Sequence, residues 1–155
     1  MTTPTHEDLR KAAVRWLTNS QKCSVVLSEM VSAAGEIPDA IGWKYGVSYL
    51  VECKVSRSDF KRNGDKCFIR NGSGMGCKRF FLCPKDLITI EDLAGSEYGL
   101  LWIGEGGHIR IHREAEIRET NSRKEICMLT SALRRVRTRE FLTINILPDA
   151  GESCI

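Results

Sequence analysis

Charged residues recur at inward-facing positions of three consecutive short β segments, and this pattern limits what the chain can become. Cys23 to Val31 is rich in β-branched residues and roughly alternating, so it reads as a strand. Glu36 to Trp43 reads as a second short strand, with Pro38 marking an edge or a bend. Ser48 to Val55 reads as a third. Ala34-Gly35 and Tyr45-Gly46 mark turns between them, which predicts an antiparallel meander. Alternate residues of a strand share a face. Glu29 then falls with Val25, Leu27 and Val31, Asp39 with Ile37, Ile41 and Trp43, and Glu52 and Lys54 with Leu50. An unpaired buried charge is costly. Three carboxylates and one ammonium compensate one another only in part, and the residual negative charge calls for a cation.

A hard divalent ion answers that requirement. Carboxylates at strand ends suit Mg²⁺ or Mn²⁺, which retain several waters. Such an ion lowers the pKa of a bound water and neutralises charge on a phosphate. Lys54 is then placed to hold the water or to stabilise charge developing at phosphorus. Taken alone, Glu52 and Lys54 read better as a solvated strand face than as a site, and Asp39 often as just a turn residue after Pro38. The run Pro38-Asp39, twelve residues, then Glu52-Cys53-Lys54 on neighbouring strands moves the reading toward a site.

The rest of the chain reads as alternating helices and strands. Thr5 and Asp8 have the form of a capping box. Leu9, Ala12, Ala13, Trp16 and Leu17 follow as one apolar helical stripe, ending near Asn19-Ser20. Ser56 caps a second helix with Asp59 at the reciprocal position. Gly72, Gly74 and Gly76 mark a loop that lacks the Gly-Lys-Ser/Thr of a P-loop. Arg79 to Cys83 is a fourth strand, Pro84 to Ala94 a helix or helical turn, and Tyr98 to Ile103 with His108 to His112 a hairpin. Ser122 to Val136 is a last helix whose stripe is Ile126, Leu129, Leu133 and Val136. The tail after Pro148 reads as frayed.

At this point a resemblance is plain. Pro38-Asp39 with Glu52-Cys53-Lys54 resembles the PD-(D/E)XK motif of the restriction-endonuclease-like nuclease superfamily. Val51 to Phe60 resembles the MmcB-like DNA-repair group, in which E-x-K is followed by a serine and an Asp-Phe. Lys66 stands where those proteins carry a lysine. Arg79 to Pro84 and Gly99 to Trp102 resemble their later strands, and Gly74-Met75-Gly76 resembles small phage-encoded relatives. The segment from Ala34 to Pro38 departs from the group, which tends to carry a basic residue before the aspartate. The resemblance implies an α/β fold with an αβββαβ core and a mixed central sheet flanked by helices. It implies catalytic roles for Asp39, Glu52, Lys54 and Glu29. It implies metal ligation by Asp39, Glu52, the backbone carbonyl of Cys53, and Glu29.

Length and composition fit one domain over residues 1–155: 42% hydrophobic and 28% charged is the mixture of a globular chain. No apolar run reaches the ~20 residues of a membrane span. The N-terminus lacks a signal-peptide pattern, so an intracellular, cytoplasmic setting is expected. Seven cysteines without a CxxC pair argue against a disulfide framework, and no zinc is expected. Net charge is only +3, but basic residues cluster at 54–70 and 123–139. Arg57, Lys61, Arg62, Lys66, Lys78 and Arg79 are the candidate nucleic-acid contacts, against the alternative of solvated faces. Ser56 and Asp59 read first as a helix cap.

The expected function is Mg²⁺- or Mn²⁺-dependent hydrolysis of DNA phosphodiester bonds, in repair, recombination or phage DNA metabolism. Cutting both strands needs two sites, which makes a homodimer a candidate assembly. The rival readings are a DNA-binding module that does not cleave, and a phage-encoded regulator that binds protein. Both rivals use the same fold.

Overall fold

The computed structural model describes residues 3–63 and 73–137. Elements follow in the order α1 (His6–Arg15), β1 (Val25–Leu27), β2 (Ala40–Lys44), β3 (Val47–Cys53), α2 (Arg57–Arg62), β4 (Lys78–Pro84), β5 (Gly99–Ile103), β6 (Ile109–Arg113) and α3 (Ser122–Arg137). The six strands form one mixed sheet in sequence order. The first three are antiparallel, β3–β4 and β4–β5 are parallel, and β6 returns antiparallel. The fold is therefore α/β, and its first six elements run α-β-β-β-α-β.

Each sheet face has its own cover. α1 lies on one face, where Leu9, Ala12, Ala13, Trp16 and Leu17 pack on Ala40, Val51, Cys53, Phe80 and Leu82. The two alanines let the helix approach the strands closely, and each large apolar side chain so buried is worth about 1.5–3 kcal/mol. The helix continues into a single π turn at Trp16–Ser20. On the other face Leu50 and Ile41 pack on Met30, Met75 and Met128. Farther along that face Phe81, Ile88, Leu93 and Tyr98 pack together, with Phe60 of α2 edge-on to Phe81 at 5.3 Å.

Several expected elements are shorter or rotated. β1 stops at Leu27, and Val25 and Val31 are exposed, so Glu29 is a loop residue with φ +46°. β2 begins only at Ala40, and Ile37 is exposed. The stretch after β4 forms the shorter of its two expected forms, a single 3-10 turn at Glu91–Leu93. In α3, Ile126 and Leu133 face solvent, while Glu125 and Met128 are buried. The helix is thus rolled by one residue from its apolar stripe. The cause is Glu125: Ser48 Oγ and Gly76 N–H donate to its Oε1 at 2.6 and 3.0 Å, and Trp43 Nε1 donates to Oε2 at 2.9 Å. Thr120 Oγ1 donates to the same carboxylate.

Candidate functional site

Three separate local features bring the first acidic groups together. The Thr5–Asp8 capping box fixes the first turn of α1, so His6 is held at its first position. The Glu29 N–H donates to the carbonyl of Pro38 at 3.2 Å, which ties the loop after β1 to the segment entering β2. Asp39 immediately precedes β2, and its Oδ2 accepts from the Cys53 N–H at 2.6 Å. Its Oδ1 lies 3.2 Å from His6 Nε2. Ligand atoms of His6, Glu29 and Asp39 all lie within 4.8 Å of one another. Arg10, chelated by Glu7 on its own helix, reaches Glu29 at 3.5 Å.

Glu52 takes a different partner. It is 3% exposed, and its Oε1 lies 3.7 Å from Arg79 Nη2. Arg79 also donates through Nη1 to Glu36 Oε1 at 2.8 Å and to the Met75 carbonyl at 2.7 Å. Glu36 Oε2 in turn accepts from the Met75 N–H. A Cβ at Gly74 would collide with Nη1, so glycine there lets the chain cross the guanidinium. Arg79 therefore supplies much of the cation that the buried carboxylates require. Neither it nor Glu36 announces this in sequence. Arg79 looks like one more surface base, and Glu36 is one residue out of phase with Ile37 and Asp39 in the expected strand.

Lys54 follows β3 and is buried, with Nζ 3.9 Å from Asp59 Oδ1. Its N–H donates to the Leu82 carbonyl and continues the parallel ladder. Ser56 caps α2 by accepting from the Asp59 N–H at 3.2 Å, as its spacing predicts. Cys53 points to the α1 face, away from Leu50, Glu52 and Lys54. Burial pushes its thiol pKa well up, and the Asp39 and Glu52 charges add to the effect.

The candidate nucleic-acid contacts disperse. Arg79 is 1% exposed and cannot meet a ligand at the surface, because Glu36 and Glu52 hold it inside. Lys78 begins β4 opposite Tyr49, four residues and about 13 Å from the Leu82–Cys53 end. Its Nζ lies 3.9 Å from Glu114. Arg57 is bound by Asp92, with Nη1 and Nη2 donating at 2.5 and 2.9 Å. Arg62 is exposed with Nη2 4.0 Å from Asp59 Oδ1, Lys61 is exposed, and Lys66 lies outside the described residues.

A groove of about 650 Å³ lies on another side of α1 and was not legible in sequence. It runs between α1 and the β5–β6 hairpin, over Pro84 and Lys85 at the end of β4. Lys11 and Arg15, one turn apart on α1, and Lys85 line it, with Asp8 and Glu105 opposing. Asp8, Lys11 and Arg15 lie on the side of α1 opposite His6 by helical periodicity, and none of His6, Glu29 and Asp39 lines the groove. Ligands of open α/β sheets bind outside the carboxyl ends of the parallel strands, where this groove opens.

Comparison with protein-family models and with curated proteins gives no match. Among solved structures, the chain is similar to the SPO1766 protein of unknown function from Silicibacter pomeroyi. The match has a TM-score of 0.63 at 23% identity and covers 89% of this chain and 92% of that one. The likeness is one of fold.

Proposed function

We propose that this chain is a metal-dependent nuclease that hydrolyses DNA phosphodiester bonds on a restriction-endonuclease-like core. One observation carries the reading. The Asp39 carboxylate is fixed on the backbone of Cys53, between Glu52 and Lys54, where β2 and β3 adjoin. This is the pairing that the PD-(D/E)XK resemblance requires. The α-β-β-β-α-β element order supports it further.

The donor set fits a divalent cation. Asp39 and Glu29 offer hard oxygens and His6 a nitrogen within 4.8 Å of one another, and the Cys53 carbonyl follows on the adjoining strand end; Glu52 would join them only by leaving Arg79. A cation held there would supply Lewis acidity and make a coordinated water easier to deprotonate. The chain's own residues do the rest. Asp39 is held in place by the Cys53 N–H. Lys54, next in the chain after Cys53, has an ammonium suited to orienting a water for in-line attack or to meeting charge developing at phosphorus. Asp59 holds that ammonium, and α2 is seated by Phe60 on Phe81. The groove bases Lys11, Arg15 and Lys85, on the far side of α1 from His6, are suited to phosphates of a strand that wraps the helix away from the cut.

The test is cleavage of plasmid and of single- and double-stranded oligonucleotides with Mg²⁺ or Mn²⁺. Lys54→Ala should lower the rate at least about 100-fold. Cleavage undiminished in Lys54→Ala would refute the assignment. A second reading, a DNA-binding module that does not cut, is favoured by the Glu52–Arg79 contact, which engages one expected ligand elsewhere. DNA binding without cleavage under any divalent ion would select it.

A further inference from the structure

We infer that His6 is an inner-sphere ligand at this site, and that the site selects a first-row transition ion such as Mn²⁺ over Mg²⁺. The inference rests on the metal-dependent reading above and specifies which ion and which donor. His6 Nε2 and Asp39 Oδ1 are 3.2 Å apart. Two adjacent ligands of an octahedral ion, each about 2.1 Å from it, are separated by about 3 Å. The pair thus already spans one edge of a coordination octahedron. Glu29, half exposed on its loop, brings a third donor atom within 4.8 Å of the other two.

The orientation is built in. Asp39 Oδ2 is committed to the Cys53 N–H, so Oδ1 is the oxygen turned toward the imidazole. The capping box holds His6 in the first turn, and the Glu29–Pro38 hydrogen bond holds the loop. Arg10 approaches Glu29 only at 3.5 Å while making its close contacts to Glu7, so Glu29 can exchange it for a metal ion. Mg²⁺ favours all-oxygen coordination and dehydrates reluctantly. An imidazole nitrogen shifts preference toward Mn²⁺ and the later first-row ions. In this conformation Glu52, paired with Arg79, stands outside the group, so the set is one nitrogen and two carboxylates.

The experiment is calorimetric titration of the full-length chain with MnCl₂ and with MgCl₂, joined to electron spin-echo spectroscopy of bound Mn²⁺. Wild type, His6→Asn and Asp39→Ala are compared. Wild type should bind Mn²⁺ at least about tenfold more tightly than Mg²⁺ and show modulation from a directly bound ¹⁴N. His6→Asn should lose the modulation and weaken Mn²⁺ binding about tenfold, with Mg²⁺ affinity unchanged. Mn²⁺ bound without nitrogen modulation, or with modulation unchanged in His6→Asn, would overturn the inference. Loss of binding in Asp39→Ala would then keep the carboxylate site intact. If neither ion binds wild type, with or without an oligonucleotide, the metal-dependent reading falls and the inference falls with it.

Discussion

Asp39 Oδ2 accepts a hydrogen bond from the Cys53 N–H at 2.6 Å, so one carboxylate both joins β2 to β3 and aims its second oxygen at His6. The two jobs separate by mutation. Asp39→Asn retains an acceptor for the Cys53 N–H and should fold with a Tm within a few degrees of wild type. It should lose metal binding in calorimetry. Asp39→Ala loses both and should cost about 1–2 kcal/mol in urea unfolding.

On the nuclease reading, the groove along α1 is where a DNA backbone would lie. Replacing Lys11, Arg15 and Lys85 together by Gln should weaken oligonucleotide binding in fluorescence anisotropy. Each lost phosphate contact should flatten the log–log salt dependence by ~0.9 for a duplex. Stability should hardly change, because these side chains line an open surface. The same substitutions at Lys78, near the opposite end of β4, should leave affinity unchanged.

Arg79 sits between two buried carboxylates, and that arrangement predicts strong coupling. Arg79→Met leaves Glu36 and Glu52 buried without their shared cation and should cost about 3–5 kcal/mol in chemical denaturation. Adding Glu36→Gln should recover part of the loss, because one carboxylate no longer needs a counter-charge. Additive effects of the two substitutions would refute the shared-cation arrangement.

Glu125 explains the roll of α3, and it should be costly to remove. Glu125→Ala strips the acceptor from Ser48, Gly76, Trp43 and Thr120. The expected loss is about 3 kcal/mol, read from the urea midpoint. Trp43 fluorescence should shift red as its indole N–H turns to water. Glu125→Gln should be milder, since one oxygen remains.

The buried thiols set an alkaline limit. Burial pushes Cys23 and Cys83 up to about 11, and Cys53 higher still. In the unfolded chain these thiols ionise at ordinary values. The folded state thus keeps protons that the unfolded state gives up. Their contribution to stability is full below the unfolded value of about 8.5 and is lost as pH rises toward about 11. Denaturation midpoints should fall over that window. At pH 8 a thiol reagent should leave these three cysteines unmodified until urea unfolds the chain.

The sequence by itself determined the strand meander, the α1 stripe, the Ser56 cap and the juxtaposition of Asp39 with Glu52-Cys53-Lys54. Each follows from local periodicity or turn chemistry: Leu9 to Leu17 face inward because helical spacing gives no other choice, and Ala40 meets Val51 because the Tyr45-Gly46 turn sets the register. The tertiary structure alone decided which charges meet. Arg79 lies 43 residues from Glu36 along the chain, yet the two are joined at 2.8 Å. Ser48 reaches Glu125 across 77 residues, and His6 reaches Asp39 from another element. No periodicity encodes such pairs. A side chain's face is a local property of φ and ψ, but its ionic partner depends on how whole elements pack. The same limit explains α3, whose apolar stripe points one way while four donors to one carboxylate turn the helix another.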